Sequence, residues 1–308
     1  MRATSSARFK PSPPVVLTFA GFDPSGGAGI SADIMTLSAL GCHALSVVTA
    51  LTVQDSARVS QISPVDRHLV NDQAREVLED MAVDAFKIGM IGSVENCAII
   101  AEIMADYPDI PLILDPVLAS GGGDEFVTEE LIEAINDLLV PQTTVLTPNS
   151  MEARRLAHAL MGDTSNAEWE DLLLEHCAAQ LLEAGSEFVL ITGTHENTGE
   201  VINSLYRSHD DDDAIVLVRQ DAWTRLPGSY HGSGCTLAAA LAASLANGME
   251  ISQAVRDAQE FTWNTLKWGF RPGMGQAIPD RFFWAREAAD ELAADEAAQA
   301  AAAAEPAP

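Results

Sequence analysis

A chain of 308 residues, 47% of them hydrophobic, is long enough to bury a large core. Lys+Arg total 17 against 45 Asp+Glu, a formal net charge of -28, which argues against nucleic acid or an anionic membrane as partner. An anionic substrate would therefore need local help from backbone amides or a metal, and the acid-rich surface, with lysine only at Lys10, Lys87 and Lys267, would suit a salty cytoplasm.

Residues 1–13 read as a tail with basic side chains and no apolar signal core. The apolar stretch 15–20, between Pro13-Pro14 and Gly21, then reads as a buried first strand. Gly21-Phe-Asp-Pro-Ser-Gly-Gly-Ala-Gly-Ile30 is a glycine-rich loop leading into a helix over 30–40. It is neither G-x-G-x-x-G nor a P-loop, and Asp23 and Asp33 beside it read first as turn and helix-face residues. Residues 45–53, rich in β-branched side chains, predict a second buried strand closing on Gln54. A polar side chain at the carboxyl end of such a strand is where ligands bind in parallel α/β sheets. A helix over 66–80, a strand over 85–90, a helix over 94–106 and a strand over 112–117 containing Asp115 follow. That alternation calls for a parallel sheet covered on both faces.

Gly121-Gly-Gly-Asp124 predicts a flexible loop, followed by a helix over 128–139 and a short strand over 144–146. Asn149 and Glu152, three apart at a helix start, fit two readings: oxygen ligands on one face for Mg²⁺ held partly through water, or an N-cap with its capping-box partner. A helix over 169–183 and a strand over 187–192 come next. Segments 200–206 and 215–220 alternate as an antiparallel edge hairpin, with 209–213 as its turn.

His231-Gly-Ser-Gly-Cys-Thr236 runs straight into an Ala/Leu-rich helix that stops at Gly248. Gly232 and Gly234 leave room for close approach, and a helix start offers unpaired amides to the charge of a phosphoryl group. Taken alone, the same loop also reads as turn and packing chemistry. A long helix over 251–270 follows, and the Ala- and acid-rich residues 285–308 predict a disordered tail. The four cysteines, Cys42, Cys97, Cys177 and Cys235, form no C-x-x-C pair and no ligand cluster. No disulfide or zinc site is expected; a reducing compartment fits, and with no apolar run of about 18 residues the expected location is the cytoplasm.

Six motifs now stand in order: Gly21-Phe-Asp-Pro-Ser-Gly-Gly-Ala-Gly-Ile-Ser-Ala-Asp33, Thr49-Ala-Leu-Thr-Val-Gln54, Lys87-Ile-Gly-Met90, Leu114-Asp-Pro-Val117, Thr147-Pro-Asn-x-x-Glu152 and His231-Gly-Ser-Gly-Cys-Thr236. Together they resemble the hydroxymethylpyrimidine/phosphomethylpyrimidine kinases of thiamine biosynthesis. The resemblance implies a ribokinase-like three-layer α/β fold, a central mostly parallel sheet flanked by helices, in one kinase domain over 14–284. It implies that Gly232, Ser233, Gly234 and Cys235 form an anion hole for the transferred phosphoryl group, and that Asn149 and Glu152 order Mg²⁺ around ATP. Asp115, Thr192 and Gly193 would border the metal or the nucleotide phosphates. Asp33 and Gln54 would contact the pyrimidine, and Gly21, Met90 and Val117 would line its pocket. The implied chemistry is in-line transfer of the ATP γ-phosphoryl to a hydroxymethyl oxygen or to a phosphate already on it, by a homodimer.

Two positions depart from related patterns. Cys235 stands where most ribokinase-fold sugar kinases have an Asp as general base, and a thiol of ordinary pKa, about 8.5, is mostly neutral at pH 7 unless the helix end lowers it. Thr192 stands where the family usually has a Lys that reaches the ATP phosphates, so Arg225, His195 or a bound monovalent cation would supply the missing charge. Two other readings fit the same motifs: a pyridoxal kinase, and a pyrimidine- or vitamer-binding sensor without turnover.

Overall fold

Strand β1 (Val15–Phe22) sends alternate side chains into two separate cores: Leu17 and Phe19 enter one, Val16 the other. The same alternation holds along the sheet, because both faces are covered. The computed structural model describes residues 12–119, 127–162, 169–209, 214–286 and 288. Most of the expected N-terminal tail, the 121–124 loop, the 210–213 turn and nearly all of the C-terminal tail lie outside them.

The other strands are β2 (His43–Gln54), β3 (Val59–Pro64), β4 (Ala85–Ile88), β5 (Leu112–Leu114), β6 (Val145–Leu146), β7 (Phe188–Thr192), β8 (Glu200–Ser208) and β9 (Ile215–Thr224). They form a nine-stranded sheet in the order β3-β2-β1-β4-β5-β6-β7-β8-β9. Pairing is parallel from β2 through β7 and antiparallel at β2/β3, β7/β8 and β8/β9, so the α/β expectation and the edge hairpin are both met. Helix α1 (Gly29–Ala39) lies on one face. On the opposite face are α2 (Arg67–Asp80), α3 (Val94–Ala105), α4 (Glu129–Ala134), α5 (Ser150–Met161) and α6 (Leu174–Glu183). Helices α7 (Ser233–Ala246) and α8 (Ile251–Lys267) return to the face of α1. Helix α7 is buried without a break from Thr236 to Ser244, between the sheet, α1 and α8, which is why its sequence is nearly all alanine and leucine with no polar stripe.

Strand β3 was not expected. It pairs only with β2 beyond the covered part of the sheet, and Val59-Ser-Gln-Ile-Ser-Pro64 carries little of the apolar alternation that marks a strand. The helix expected over 128–139 ends as α4 and continues as a π-turn (Ile135–Leu139) and a 3₁₀ turn (Val140–Gln142). The one expected over 169–183 splits into a 3₁₀ turn (Trp169–Asp171) and α6; between them, Arg154 Nε donates to the Leu172 carbonyl. Among the described residues no helix is long and apolar enough to cross a membrane.

Candidate active site

Because β1, β2 and β4 to β7 run parallel, their carboxyl ends open on one edge of the sheet. Gly21, Gln54, Met90, Asp115, Thr147 and Thr192 arrive there together, lining a cleft of about 1140 Å³. Val117, Asn149, Glu152, Gly232, Ser233, Gly234 and Cys235 also line it, so most of the residues expected from the motifs meet in one place.

Two glycine-rich loops touch at its centre. Asp23, 3% exposed, folds the first loop around itself: its carboxylate accepts from Ser25 N and Oγ, from Ala28 N at 2.8 Å and from His231 Nε2 at 2.8 Å. Burial pushes that carboxyl up, but these four bonds outweigh it and hold it well below the usual range. The second loop packs against the first at Gly232, whose φ of 82° is left-handed and whose hydrogen leaves no room for a Cβ against the Gly27 carbonyl. Helix α7 then starts at Ser233 with no side chain capping it, unlike α2, α3 and α5. Its first-turn amides open on the cleft.

Beneath the loops lies a buried charge cluster. Lys87 is fully buried, with Nζ 3.0 Å from both oxygens of Asp33 and 3.9 Å from Asp115 Oδ2. Burial opposes its charge, yet the two carboxylates raise its pKa above the ordinary value. Asp33 is therefore not the pyrimidine contact the resemblance implied: Thr18 Oγ1 also donates to it at 2.6 Å, it is fully buried, and it lies outside the cleft lining. Cys235 sits above this cluster, and burial pushes its thiol up to about 12 despite Lys87 nearby. The helix end does not make it a thiolate. Its side chain hydrogen-bonds Asp115, whose own pKa is raised, chiefly by burial.

Both readings of the Asn149/Glu152 pair can now be weighed. The capping box is complete: Asn149 Oδ1 accepts from Met151 N at 2.9 Å and Glu152 N at 3.0 Å, while Glu152 Oε2 accepts from Asn149 N at 2.9 Å. Asn149 thus spends its amide oxygen on the helix. Glu152 keeps a further role open, because burial and the neighbouring Asp115 push its carboxyl up to about 8. Asp115 Oδ2 is buried with no hydrogen-bond partner. Two carboxyls facing one cleft, with Asp115 opposing the ionisation of Glu152, fit a divalent cation completed by phosphate and water oxygens. Among the described residues no three His, Cys, Asp or Glu side chains converge as a self-sufficient metal site.

The far end of the cleft is built from β7, β8, β9 and α8. Thr192 lines it, but the Gly193 amide donates to Asn203 Oδ1 at 3.1 Å and Gly193 is not in the lining, so that amide is not offered to a phosphate. Asn203 Nδ2 and Trp223 Nε1 both donate to Gln259 Oε1, at 2.8 and 2.9 Å, and Gln259 Nε2 donates to Asp221 at 3.0 Å. His195 lines the cleft with its pKa lowered by burial, so it brings no cation at neutral pH. Arg225 remains: its three nitrogens donate to the carbonyls of Thr198, Thr194 and Glu196 and fix the turn after β7, with its charge at the cleft wall. Of these residues the motifs had flagged neither His231 as a site residue nor the Asn203–Gln259–Trp223 set. His231 was legible as a polar ring beside a glycine loop; the others are scattered over three elements.

A ribokinase-like α/β fold with uncapped helix amides and opposed carboxyls at the carboxyl edge of a parallel sheet defines a phosphoryl-transfer enzyme. The phosphomethylpyrimidine kinase family model matches residues 23–280. A hydroxymethylpyrimidine/phosphomethylpyrimidine kinase of Streptomyces coelicolor is 36% identical over 267 residues, covering 85% of this chain and 92% of that protein. The pyridoxal kinase of Staphylococcus aureus in complex with ADP superposes with TM-score 0.74 at 28% identity, covering 87% of this chain and 93% of that one. The phosphomethylpyrimidine kinase of Clostridium difficile superposes with TM-score 0.65 at 30% identity, covering 81% and 97%. This chain belongs to the phosphomethylpyrimidine kinase family.

Proposed function

We propose that the chain transfers the γ-phosphoryl group of ATP to 4-amino-5-hydroxymethyl-2-methylpyrimidine, to its monophosphate, or to both in turn. The observation that carries this reading is the uncapped start of α7, Ser233 to Cys235, opening on the same cleft as Gln54, Met90 and Val117. The pyrimidine lies against Gly21, Gln54, Met90 and Val117, with Gln54 supplying hydrogen bonds to the ring. The amides after Gly232 receive the charge that develops on the transferred group. Cys235, kept neutral by burial, orients the acceptor rather than deprotonating it; in a loose transition state the alcohol proton leaves late, so a strong base is not required. Asp115 and Glu152 would hold Mg²⁺, which when bound neutralises charge on the nucleotide phosphates. Thr192 and Arg225 border the phosphates, and the Asn203, Gln259, Trp223 and Trp263 end takes the rest of the nucleotide.

Phosphorus NMR of the protein with Mg-ATP and the hydroxymethylpyrimidine tests the reading. A phosphomonoester signal equal to the ADP formed, followed by a diphosphate ester, is expected; ADP without a new ester would overturn it. Pyridoxal kinase is the second reading, supported by the Staphylococcus aureus structure's TM-score of 0.74. The sequence relatives favour the pyrimidine, since the Streptomyces coelicolor protein is 36% identical.

A further inference from the structure

Among the described residues Arg281 heads the largest fully buried side chains, at 2% exposure, and the site as described does not use it. It reaches the chain from behind. After α8 the backbone is tied in turn to the β2–β3 turn, the second glycine loop and α8: Gln276 N donates to Ser56 O at 2.8 Å, His231 N to Ala277 O at 2.8 Å, and Asp280 N to Thr265 O at 2.9 Å. Arg281 then inserts where the loops touch. Its Nη2 donates to the Gly27 carbonyl at 2.6 Å and its Nε to Thr236 Oγ1 at 3.1 Å, and Thr236 Oγ1 donates on to the Gly232 carbonyl at 2.8 Å. One guanidinium thus ties the first loop directly and the second through one hydroxyl.

Its charge is unusual in how it is held. Lys87 has Asp33 at 3.0 Å, whereas Arg281 makes no ion pair with any described carboxylate and spends its bonds on neutral oxygens. Burial lowers its pKa to about 10, although Asp33, Asp23 and Asp280 lie near enough to favour the charge without bonding to it. It persists in an acid-rich chain beside the uncapped start of α7.

We propose that Arg281 is a positioning residue for phosphoryl transfer: it pulls the Gly27 and Gly232 carbonyls back, turns the amides at the start of α7 toward the cleft, and sets a fixed positive charge behind them. The proposal rests on the α7 start receiving the transferred group. That charge matters most in the transition state, when the phosphoryl group stands between ADP and the acceptor oxygen and its charge faces the loop.

The test is Arg281→Gln, read by steady-state kinetics, thermal melting and the affinity of Mg-ADP with and without aluminium fluoride, a mimic of the phosphoryl group in flight. Expected are a kcat lowered about tenfold or more with pyrimidine KM within about twofold, and aluminium fluoride tightening of ADP lost while ADP itself binds as before. A folded Arg281→Gln protein with kcat and aluminium fluoride tightening within about twofold of the parent would overturn the proposal. Should that variant not fold, Arg281→Lys decides: it keeps the charge but cannot reach both loops, so its kcat falls about threefold or more, and an unchanged kcat overturns the proposal. The aluminium fluoride arm needs no acceptor, so it reads Arg281 even if pyrimidine is the wrong substrate.

Discussion

At the end of the cleft under β1, β2 and β4, polar side chains are paired before any ligand arrives: Asp23 with His231, and Asp33 with Lys87 and Thr18. At the end under β8 and β9 they form one neutral chain, Gly193 to Asn203 to Gln259, that meets charge only at Asp221 with Arg219 and Arg256. Charge in low dielectric fixes geometry strongly and tolerates little change, while amide networks fix it more softly. The end assigned to the acceptor is therefore rigid, which suits discrimination between small rings. The end assigned to the nucleotide is softer.

That contrast can be broken. Lys87→Met leaves Asp33 and Asp115 without their cation and should cost about 3–5 kcal/mol of stability in urea unfolding. A loss below about 1 kcal/mol would remove the claim that buried charge sets the acceptor end. Gln259→Ala strands Trp223 Nε1 and Asn203 Nδ2 together, while Asp221 keeps Arg219 and Arg256, and should cost about 1–3 kcal/mol and raise the KM for ATP with little change in that for the pyrimidine. Equal changes in both KM values would merge the two ends into one.

Smaller effects sharpen it. Cys235→Ala or Cys235→Ser should slow transfer to the free alcohol about tenfold more than transfer to the monophosphate, because a small neutral hydroxyl depends on the thiol for its orientation while a phosphate has other oxygens to hold it. Equal losses would remove Cys235 from the acceptor side. With its thiol at about 12, Cys235 should also resist iodoacetamide at pH 8. A pH-dependent effect concerns Glu152. Its folded pKa, about 8, lies above its ordinary 4.5, so the native state keeps a proton that the unfolded chain releases. Without Mg²⁺, stability should fall as pH rises from about 4.5 to about 8, and Glu152→Gln should flatten that slope. Melting curves at the two ends of the window check it; an unchanged slope would mean that the carboxyl is solvated.

How much of this was legible in the sequence follows the same divide. Gly21, Gln54, Met90, Asp115, Val117 and the 232–235 loop sit at strand ends or in short motifs, and the parallel sheet brings them together by construction. Asp33 misled for a physical reason: it follows the first glycine loop, but helical phase turns it inward, where Lys87 waits on β4. Lys87 itself was visible as a cation inside the apolar run Ala85-Phe-Lys-Ile88, buried on all four positions. Asn149 fitted two chemistries with one spacing, and only the hydrogen bonds distinguish them. The nucleotide end was illegible because Asn203, Trp223 and Gln259 come from three elements with no shared motif. Arg281 lay inside the expected kinase domain with no role attached, because nothing local announces that its side chain points into the core.

The measurement that bears most directly on the account is ADP release with Mg-ATP, offering the hydroxymethylpyrimidine, its monophosphate and pyridoxal in parallel. The account predicts a kcat/KM on at least one pyrimidine that exceeds that on pyridoxal about tenfold or more. Turnover of pyridoxal alone, or pyrimidine binding that raises the melting temperature without any ADP, would contradict it.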